Sequence, residues 1–368
     1  MATSGRTPSS RSMTTPLHAL TRAVALGAVA ALALSAQQAP PAAATRAPAT
    51  KWVLPRTPDG HPDFQGNWSN ATLTPIQRPP GQERALTKAQ VVAIEKIRSD
   101  TIEKLSKDSD PNRPAPPVGG DGSTGAAGMV GGYNYFYIDA GDHMALVNGE
   151  TRSSIVVDPP DGRVPAFTPA ARTRMLERGR AMRGMGEYDN PENRPLAERC
   201  LMSFGSNAGP PMLPNYFYNN NYTIVQTRDH IVMMTEMVHD ARIIRMNATT
   251  RLPANVRPWM GESIGRWEGD TLVIATTNFH PRQLFYGGSS DSLTVTERFH
   301  RTGEHTLLYR FTISDASMFT KAWSGELPYN RMDDLIYEYA CHEANYALSN
   351  ILSGERSRER EAAAKPKP

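Results

Sequence analysis

Ionisable side chains concentrate near the middle of the chain, at the end of a run of apolar residues. Residues 236–242 include Glu236, His239, Asp240 and Arg242. On a continuous strand, Glu236, Asp240 and Arg242 share one face, because side chains alternate. His239 then points to the other face, unless a bulge intervenes. A charge left unpaired in apolar surroundings is costly, so we expect either a self-neutralising Glu–Arg or Asp–Arg ion pair or an acid–base site.

A second polar cluster lies near the carboxyl end, at residues 337–346. Its members are Tyr337, Tyr339, Cys341, His342, Glu343, Asn345 and Tyr346. A carboxylate beside a histidine can tune the imidazole pKa or hold its tautomer, and tyrosine offers a hydroxyl and a stacking surface. We therefore expect His342 and Glu343 to transfer protons, with Tyr337, Tyr339, Asn345 and Tyr346 contacting a substrate. The alternative is that Cys341 makes this segment an ordinary disulfide anchor.

A third candidate is Glu297, which is in phase with Val295 and Phe299 and should point inward with them. Together the clusters suggest one cavity in which His239, Asp240, His342 and Glu343 exchange protons with a ligand. Glu236 is assigned to the same catalytic set. Arg242 and Glu297 are assigned to substrate binding, with Arg242 orienting an acid or a substrate oxygen.

Several chemistries lack their sequence signatures. The Gly-rich residues 119–132 lack the Lys-Ser/Thr ending of a phosphate loop, and no serine occupies a Gly-x-Ser-x-Gly elbow. The histidines do not recur at metal-ligand spacing, so we expect no metal and no cofactor, although scattered zinc ligands are an alternative. The net charge is +3 and basic residues are dispersed, which argues against a nucleic-acid partner.

The elements that position these residues are mostly strands. Between residues 265 and 313, apolar side chains recur at every second position in three segments separated by turns. Residues 231–238 are apolar on both faces, which predicts a strand inside the wall of a sheet. Thr87 with Gln90, and Thr168 before Pro169, predict the starts of two short helices. We expect a mainly β fold, an antiparallel barrel or sandwich of lipocalin-like character with a long N-terminal arm.

Four regions are predicted along the chain. Residues 1–45 are an export signal and leader, because the apolar run 23–35 is shorter than the roughly 20 residues that cross a bilayer. Residues 46–132 are an extended arm, a helix and the Gly-rich loop. Residues 133–353 form the antiparallel β domain, and residues 354–368 are a disordered tail. The mature chain is expected to be periplasmic or secreted, without membrane insertion.

The chain has two cysteines, Cys200 and Cys341. Export to an oxidising compartment favours a disulfide between them. Two buried thiols are the alternative, because separation along the chain does not report distance in space.

Five segments resemble one family of proteins. They are residues 56–68, 196–200, 236–242, 265–272 and 337–343. Together they look like a family of exported bacterial hypothetical proteins with no known activity, and the similarity covers nearly everything after the leader. The resemblance implies no catalytic residue. It does imply that both cysteines belong to recurring motifs, which favours their pairing.

Two functions remain open at this point. The first is an exported, metal-independent enzyme using acid–base catalysis on a hydrophobic small organic molecule, as a hydrolase, dehydratase-type lyase or isomerase. The second is a periplasmic lipocalin-like protein that binds such a molecule without catalysis. Inward-pointing acids near histidine favour the enzyme, and the residues that line the largest cavity should discriminate the two. The sequence indicates no oligomeric state.

Overall fold

A computed structural model gives the fold of most of the chain. It describes residues 52–107, 112, 114, 138–204, 209–215, 217, 219–286 and 291–365. The predicted export signal at residues 1–45 and the predicted Gly-rich loop at residues 119–132 lie outside these ranges.

The described residues are predominantly β. The strands are β1 (Gly66–Ser69), β2 (Leu146–Val147), β3 (Glu150–Thr151), β4 (Val156–Asp158), β5 (Asn221–Gln226), β6 (His230–Thr235), β7 (Ala241–Met246), β8 (Glu262–Glu268), β9 (Thr271–Thr277), β10 (Thr294–Gly303), β11 (Thr306–Ser314) and β12 (Trp323–Met332). The helices are α1 (Lys88–Leu105), α2 (Pro169–Gly184) and α3 (Ala347–Ala364). Short 3₁₀ turns occur at Pro191–Asn193 and Met237–His239.

Nine strands close into a barrel, in the order β1-β5-β6-β7-β8-β9-β10-β11-β12 and back to β1. Strand β4 adds to the outside of this ring by pairing with β12. An odd number of strands cannot alternate in direction all the way round a closed ring, so at least one pair must be parallel. That pair is β7 and β8, joined by the long crossover 247–261 that parallel neighbours require. All other neighbours in the ring are antiparallel.

The N-terminal arm supplies the strand that closes the barrel. Trp68 of β1 lies opposite Tyr222 on β5 and Arg331 on β12. Trp68 and Phe64 are fully buried, whereas Trp52 is 36% exposed. The arm is therefore part of the barrel wall, and Trp52 at its start stays at the surface.

The predicted meander corresponds to β9, β10 and β11, and its inward residues fill the barrel. Leu272 and Ile274 on β9, and Tyr309 and Phe311 on β11, are buried as the period-2 pattern predicts. Aromatic rings from neighbouring strands pack against one another, with Tyr309 and Tyr329 at 5.3 Å between ring centroids. The barrel is thus a packed core over most of its length.

The two predicted helix starts are confirmed. Thr87 and Gln90 form a reciprocal capping box at α1, and the Thr168 side chain accepts from the backbone N–H of Ala171 at α2. The carboxyl-terminal segment differs from expectation. Residues 354–364, predicted as part of a disordered tail, belong to α3. Charged residues with high helix propensity form a helix here. Arg356 on this helix donates to the backbone carbonyl of Tyr188 at 3.1 Å, which orients the helix relative to that residue.

Strand β6 is shorter and more one-sided than predicted. It ends at Thr235, and only Ile231, Met233 and Thr235 are buried, while Val232 and Met234 are half-buried on the outer face. The prediction of a strand running to residue 238 and buried on both faces is therefore wrong. Residues 237–239 leave the sheet in a 3₁₀ turn, which changes the geometry of the first polar cluster.

Candidate functional site

A buried ion pair crosses the interior of the barrel. Arg242 on β7 and Glu297 on β10 are almost fully buried. The two terminal guanidinium nitrogens of Arg242 donate to the two carboxylate oxygens of Glu297. Ser263 and Thr276, on the two strands between them, accept from Arg242 at 2.9 and 3.2 Å. Tyr309 donates to Glu297 at 2.8 Å. The prediction that Glu297 points inward is confirmed.

The same network reaches the chain segment before β5. The backbone N–H of Met212 donates to the Tyr309 hydroxyl at 3.1 Å, and the Tyr329 hydroxyl donates to the Met212 carbonyl at 3.1 Å. Burial and the charge of Glu297 raise the pKa of Tyr309 well above its ordinary value, so this phenol stays protonated. Arg242 and Glu297 contact each other and the side chains of Ser263, Thr276 and Tyr309, which matches the self-neutralising Glu–Arg ion pair that the sequence left open, with Glu297 as the acid.

The turn after β6 separates the predicted catalytic residues from Arg242. Val238 and His239 have positive φ angles of 62° and 49°, so the strand alternation that would align Glu236, Asp240 and Arg242 is broken. Glu236 accepts from the amide of Asn221 at 2.8 Å. His239 is exposed. Glu236, Asp240 and Arg242 therefore do not share one face, because only Arg242 lies inside the barrel.

The predicted disulfide is confirmed. Cys200 and Cys341 are bonded, with a Cα–Cα distance of 5.8 Å. Cys200 packs with Met237 and Val238, and Tyr339 and Cys341 cover them from outside. The disulfide therefore fastens the segment after β12 onto the 3₁₀ turn.

The disulfide also brings the two predicted clusters together, at the surface. The rings of His239 and His342 are 6.3 Å apart. His342 is exposed, and so are Tyr337, Glu343, Asn345 and Tyr346, while Tyr339 is half-buried. Residues 333–346 carry no strand, although they fall within the predicted antiparallel β domain of residues 133–353. The two segments converge as predicted, but on an open surface.

Asp240 is the member of the first cluster that is withdrawn from water. Its carboxylate accepts from the backbone N–H of Ser203 at 3.4 Å. Burial raises its pKa to about 6, against the opposing effects of that hydrogen bond and of His239. Asp240 thereby titrates near pH 6, directly behind Ser203, which borders an apolar cleft.

That cleft lies between residues 202–204 and 209–213 on one side and the loop 279–286 on the other, and its volume is about 340 Å³. Most of its lining is apolar or aromatic, with a few polar side chains. The lining residues are Ile76, Met202, Ser203, Phe204, Gly209, Pro210, Pro211, Leu213, Phe279, Gln283, Leu284, Phe285, Tyr286 and Leu293. None of the residues predicted for catalysis or substrate binding is among them; Asp240 contacts one lining residue, Ser203.

Two polar side chains of the lining lack a hydrogen-bond partner within the described ranges. They are the Tyr286 hydroxyl and the Gln283 side-chain amide. Burial raises the pKa of Tyr286 to about 12, so its hydroxyl is a neutral donor at physiological pH. The indole N–H of Trp323 is fully buried and without a described partner; its ring lies 5.7 Å from Tyr286 but does not line the cleft. The Tyr286 hydroxyl and the Gln283 side-chain amide are groups of the lining that suit a ligand with a hydrogen-bond acceptor.

Sequence reasoning missed the residues that form this cleft. Most of them lie in two loops, outside the periodic segments from which strands were predicted. One signal was present, because Leu284, Phe285 and Tyr286 are three consecutive large apolar or aromatic residues in a loop. Such residues in a loop often mark a binding surface.

Comparison of the chain with protein-family models, curated proteins and solved structures found no match. Within the described residues, no set of three or more His, Cys, Asp or Glu side chains is placed to hold a metal ion. No helix in those residues is long and apolar enough to cross a membrane.

Proposed function

We propose that the protein binds a hydrophobic, aromatic small molecule in the cleft and does not transform it. The observation that carries this proposal is the lining of the cleft. Apolar and aromatic side chains line most of a volume of about 340 Å³, to which Gln283 and Tyr286 add polar groups. This combination is typical of sites that bind small organic molecules.

The acid–base enzyme has less support. Its predicted residues lie in three different surroundings: Arg242 and Glu297 neutralise each other inside the barrel, His239 and His342 meet at the surface, and Asp240 stands behind Ser203. General acid–base catalysis needs its groups within hydrogen-bond reach of one reacting atom. The pKa of Asp240, near 6, is the observation that favours the enzyme as a second candidate.

We also propose that the protein is exported to the periplasm or beyond. The disulfide between Cys200 and Cys341 supports this, because such bonds persist in oxidising compartments.

A neutral fluorescent probe, phenylnaphthylamine, tests the binding proposal. We expect a saturable rise in fluorescence when the probe is titrated into the purified protein. Leu284→Arg places a charge in the lining of the cleft and should weaken binding by about tenfold or more, since an unpaired charge in an apolar site is costly.

Leu335→Arg is the matched control, because Leu335 is 75% exposed and does not line the cleft. It should leave the affinity unchanged. The proposal is wrong if the probe does not bind saturably, or if both variants lose the same affinity.

A further inference from the structure

Tyr286 is a polar aromatic residue of the cleft lining, and other aromatic rings hold it in place. Its ring packs edge-on against Trp323, with ring centroids 5.7 Å apart, and against Phe319, at 6.3 Å. The ring of Phe285 lies 4.8 Å away at an angle of 65°. Edge-to-face packing of this kind is favourable, so the position of the Tyr286 ring does not depend on a ligand.

The backbone of Tyr286 is in an uncommon conformation. Its φ angle is 51°, in the left-handed region that bulky residues enter only at a cost in free energy. Residues with such angles are concentrated at sites that bind ligands or carry out chemistry. The conformation thus adds a reason to ask what Tyr286 does in the cleft.

The hydroxyl of Tyr286 has no role in the packing of the described residues. It makes no hydrogen bond with any of them, although the residue is half-buried. Phenylalanine would make the same ring contacts without withdrawing an unpaired hydroxyl from water, which is unfavourable. A ligand in the cleft would supply the partner that this hydroxyl lacks.

Gln283 provides a second polar group in the same loop. Its backbone N–H donates to the carbonyl of His280 at 2.9 Å, but its half-buried side-chain amide has no hydrogen-bond partner among the residues that the structure describes. That amide offers two N–H donors. Ser203, also in the lining, already donates its hydroxyl to Sδ of Met237 at 2.8 Å. Tyr286 and Gln283 are therefore the lining residues with side-chain donors to offer.

The charge of the lining limits the ligand further. None of the described residues that line the cleft has a charged side chain, and the raised pKa of Tyr286, about 12, keeps its hydroxyl protonated. An ionised group on the ligand would lie unpaired in apolar surroundings, which is costly. A neutral hydrogen-bond acceptor carries no such cost.

We propose that the ligand of the cleft is a neutral aromatic carbonyl compound, a ketone, ester or amide, whose carbonyl oxygen accepts from the Tyr286 hydroxyl, with the Gln283 amide as a second donor. The inference rests on the proposed function, because it places the aromatic body of the ligand against the apolar lining. Tyr286 then determines specificity, since it distinguishes a carbonyl compound from a hydrocarbon of similar shape.

Three probes with one aromatic body test the chemistry of the ligand. Dimethylaminonaphthalene lacks a carbonyl, its propionyl derivative carries a ketone, and its carboxyl derivative carries a carboxylate. We expect the native protein to bind the ketone about three- to tenfold more tightly than the parent compound, as one neutral hydrogen bond allows. The carboxylate should bind more weakly than the ketone. Fluorescence titration gives the three affinities, and a carboxylate that binds more tightly than the ketone would overturn the inference.

Tyr286→Phe identifies the contact and keeps the ring. It should weaken binding of the ketone by about three- to tenfold and leave binding of the parent compound unchanged. The emission of the bound ketone should move to shorter wavelength, because loss of a hydrogen bond to its carbonyl has this effect on the dye. Gln283→Met should lower the preference for the ketone as well. Tyr337→Phe is the matched control, since Tyr337 is 77% exposed and does not line the cleft, and it should alter neither the affinities nor the emission.

The outcomes separate this inference from the proposed function. If the parent compound binds but Tyr286→Phe changes neither the ratio of the two affinities nor the emission, the carbonyl contact is wrong and the binding function stands. If Tyr286→Phe weakens both probes equally, Tyr286 only shapes the cleft, which also overturns the inference. If neither the parent compound nor the ketone binds to the native protein, the proposed function fails and the inference fails with it.

Discussion

At the scale of single residues, burial changes the pKa of the Asp240 carboxyl, and the spacing of residues in the sequence does not predict this change. Its neighbours along the chain are polar, yet the turn Met237–His239 and the backbone of Ser203 withdraw its carboxylate from water. Burial favours the neutral form and raises its pKa to about 6. The folded state therefore binds a proton at a pH where the unfolded chain does not.

This shift makes stability depend on pH. The unfolded carboxyl has the ordinary value of 3.8, so between about pH 4 and pH 6 the folded state holds more protons than the unfolded state. The free energy of unfolding should fall as pH rises through that window, and the loss should be complete above it. Asp240→Asn should abolish this dependence and stabilise the protein at pH 7.5 by on the order of 1–2 kcal/mol, because the site keeps partial contact with water.

Urea denaturation at pH 4.5 and pH 7.5 measures the effect. Glu343→Gln is the control, since Glu343 is an exposed carboxylate in the same surface region. An Asp240→Asn protein that is no more stable than the native protein at pH 7.5 would show that the native carboxylate is well solvated.

At the scale of elements, the ion pair between Arg242 and Glu297 ties together four strands. The two residues lie on β7 and β10, and Ser263 on β8 and Thr276 on β9 fill the hydrogen-bonding positions between them. No pattern within one strand predicts this arrangement, because its members are far apart in sequence and meet only through strand order. The network fixes the relative position of these strands by directed contacts that apolar packing lacks.

Removing one partner of this pair should be strongly destabilising. Glu297→Gln leaves the buried guanidinium of Arg242 without its counter-charge, and we expect a loss of about 3–5 kcal/mol in the free energy of unfolding. The double variant Arg242→Met with Glu297→Met removes both charges and should be more stable than Glu297→Gln alone. Urea unfolding monitored by circular dichroism gives the three values.

Glu268→Gln is the matched control for this experiment. Glu268 on β8 forms ion pairs with Arg266 and Arg298 at the surface of the same barrel, and solvent screens them. It should change stability little. Equal losses in the free energy of unfolding for Glu268→Gln and Glu297→Gln would contradict this prediction. They would mean that breaking the buried Arg242–Glu297 pair destabilises the protein no more than breaking a surface pair.

At the scale of the whole molecule, the barrel depends on a strand that comes from an irregular arm. Strand β1 is four residues long and pairs with β5 on one side and β12 on the other. Its Trp68 is fully buried, donates to the carbonyl of Phe64 at 2.9 Å, and lies under the guanidinium of Arg301. The N-terminal arm thus joins the first and last parts of the β domain.

Two tryptophans of the same arm test this closure. Trp68→Ala should cost about 3–5 kcal/mol, the usual range for truncating a buried aromatic residue. Trp52→Ala should cost little, because Trp52 is 36% exposed and precedes the closing strand. Thermal and urea unfolding of both variants measures the difference, and similar losses would indicate that the arm does not close the barrel.

Much of this architecture was predictable from sequence because it depends on local patterns. The period of two predicted the inward faces of β9, β10 and β11, including buried Glu297. Capping residues predicted the starts of α1 and α2, since the cap satisfies backbone groups a few positions away. The pairing of Cys200 with Cys341 followed from the compartment inferred from the leader and from the recurring motifs of the resembling family.

Tertiary structure alone decided the closure and the cleft. The sequence determined which face of a strand is apolar, because alternation is a property of the backbone itself. It did not determine that β1 joins β5 to β12, or that residues 202–204 and 209–213 meet the loop 279–286, because those contacts join residues far apart in the chain. The predicted catalytic cluster separated for the same reason: two positive φ angles after Glu236 turned His239 to the surface, and strand order placed Arg242 against Glu297.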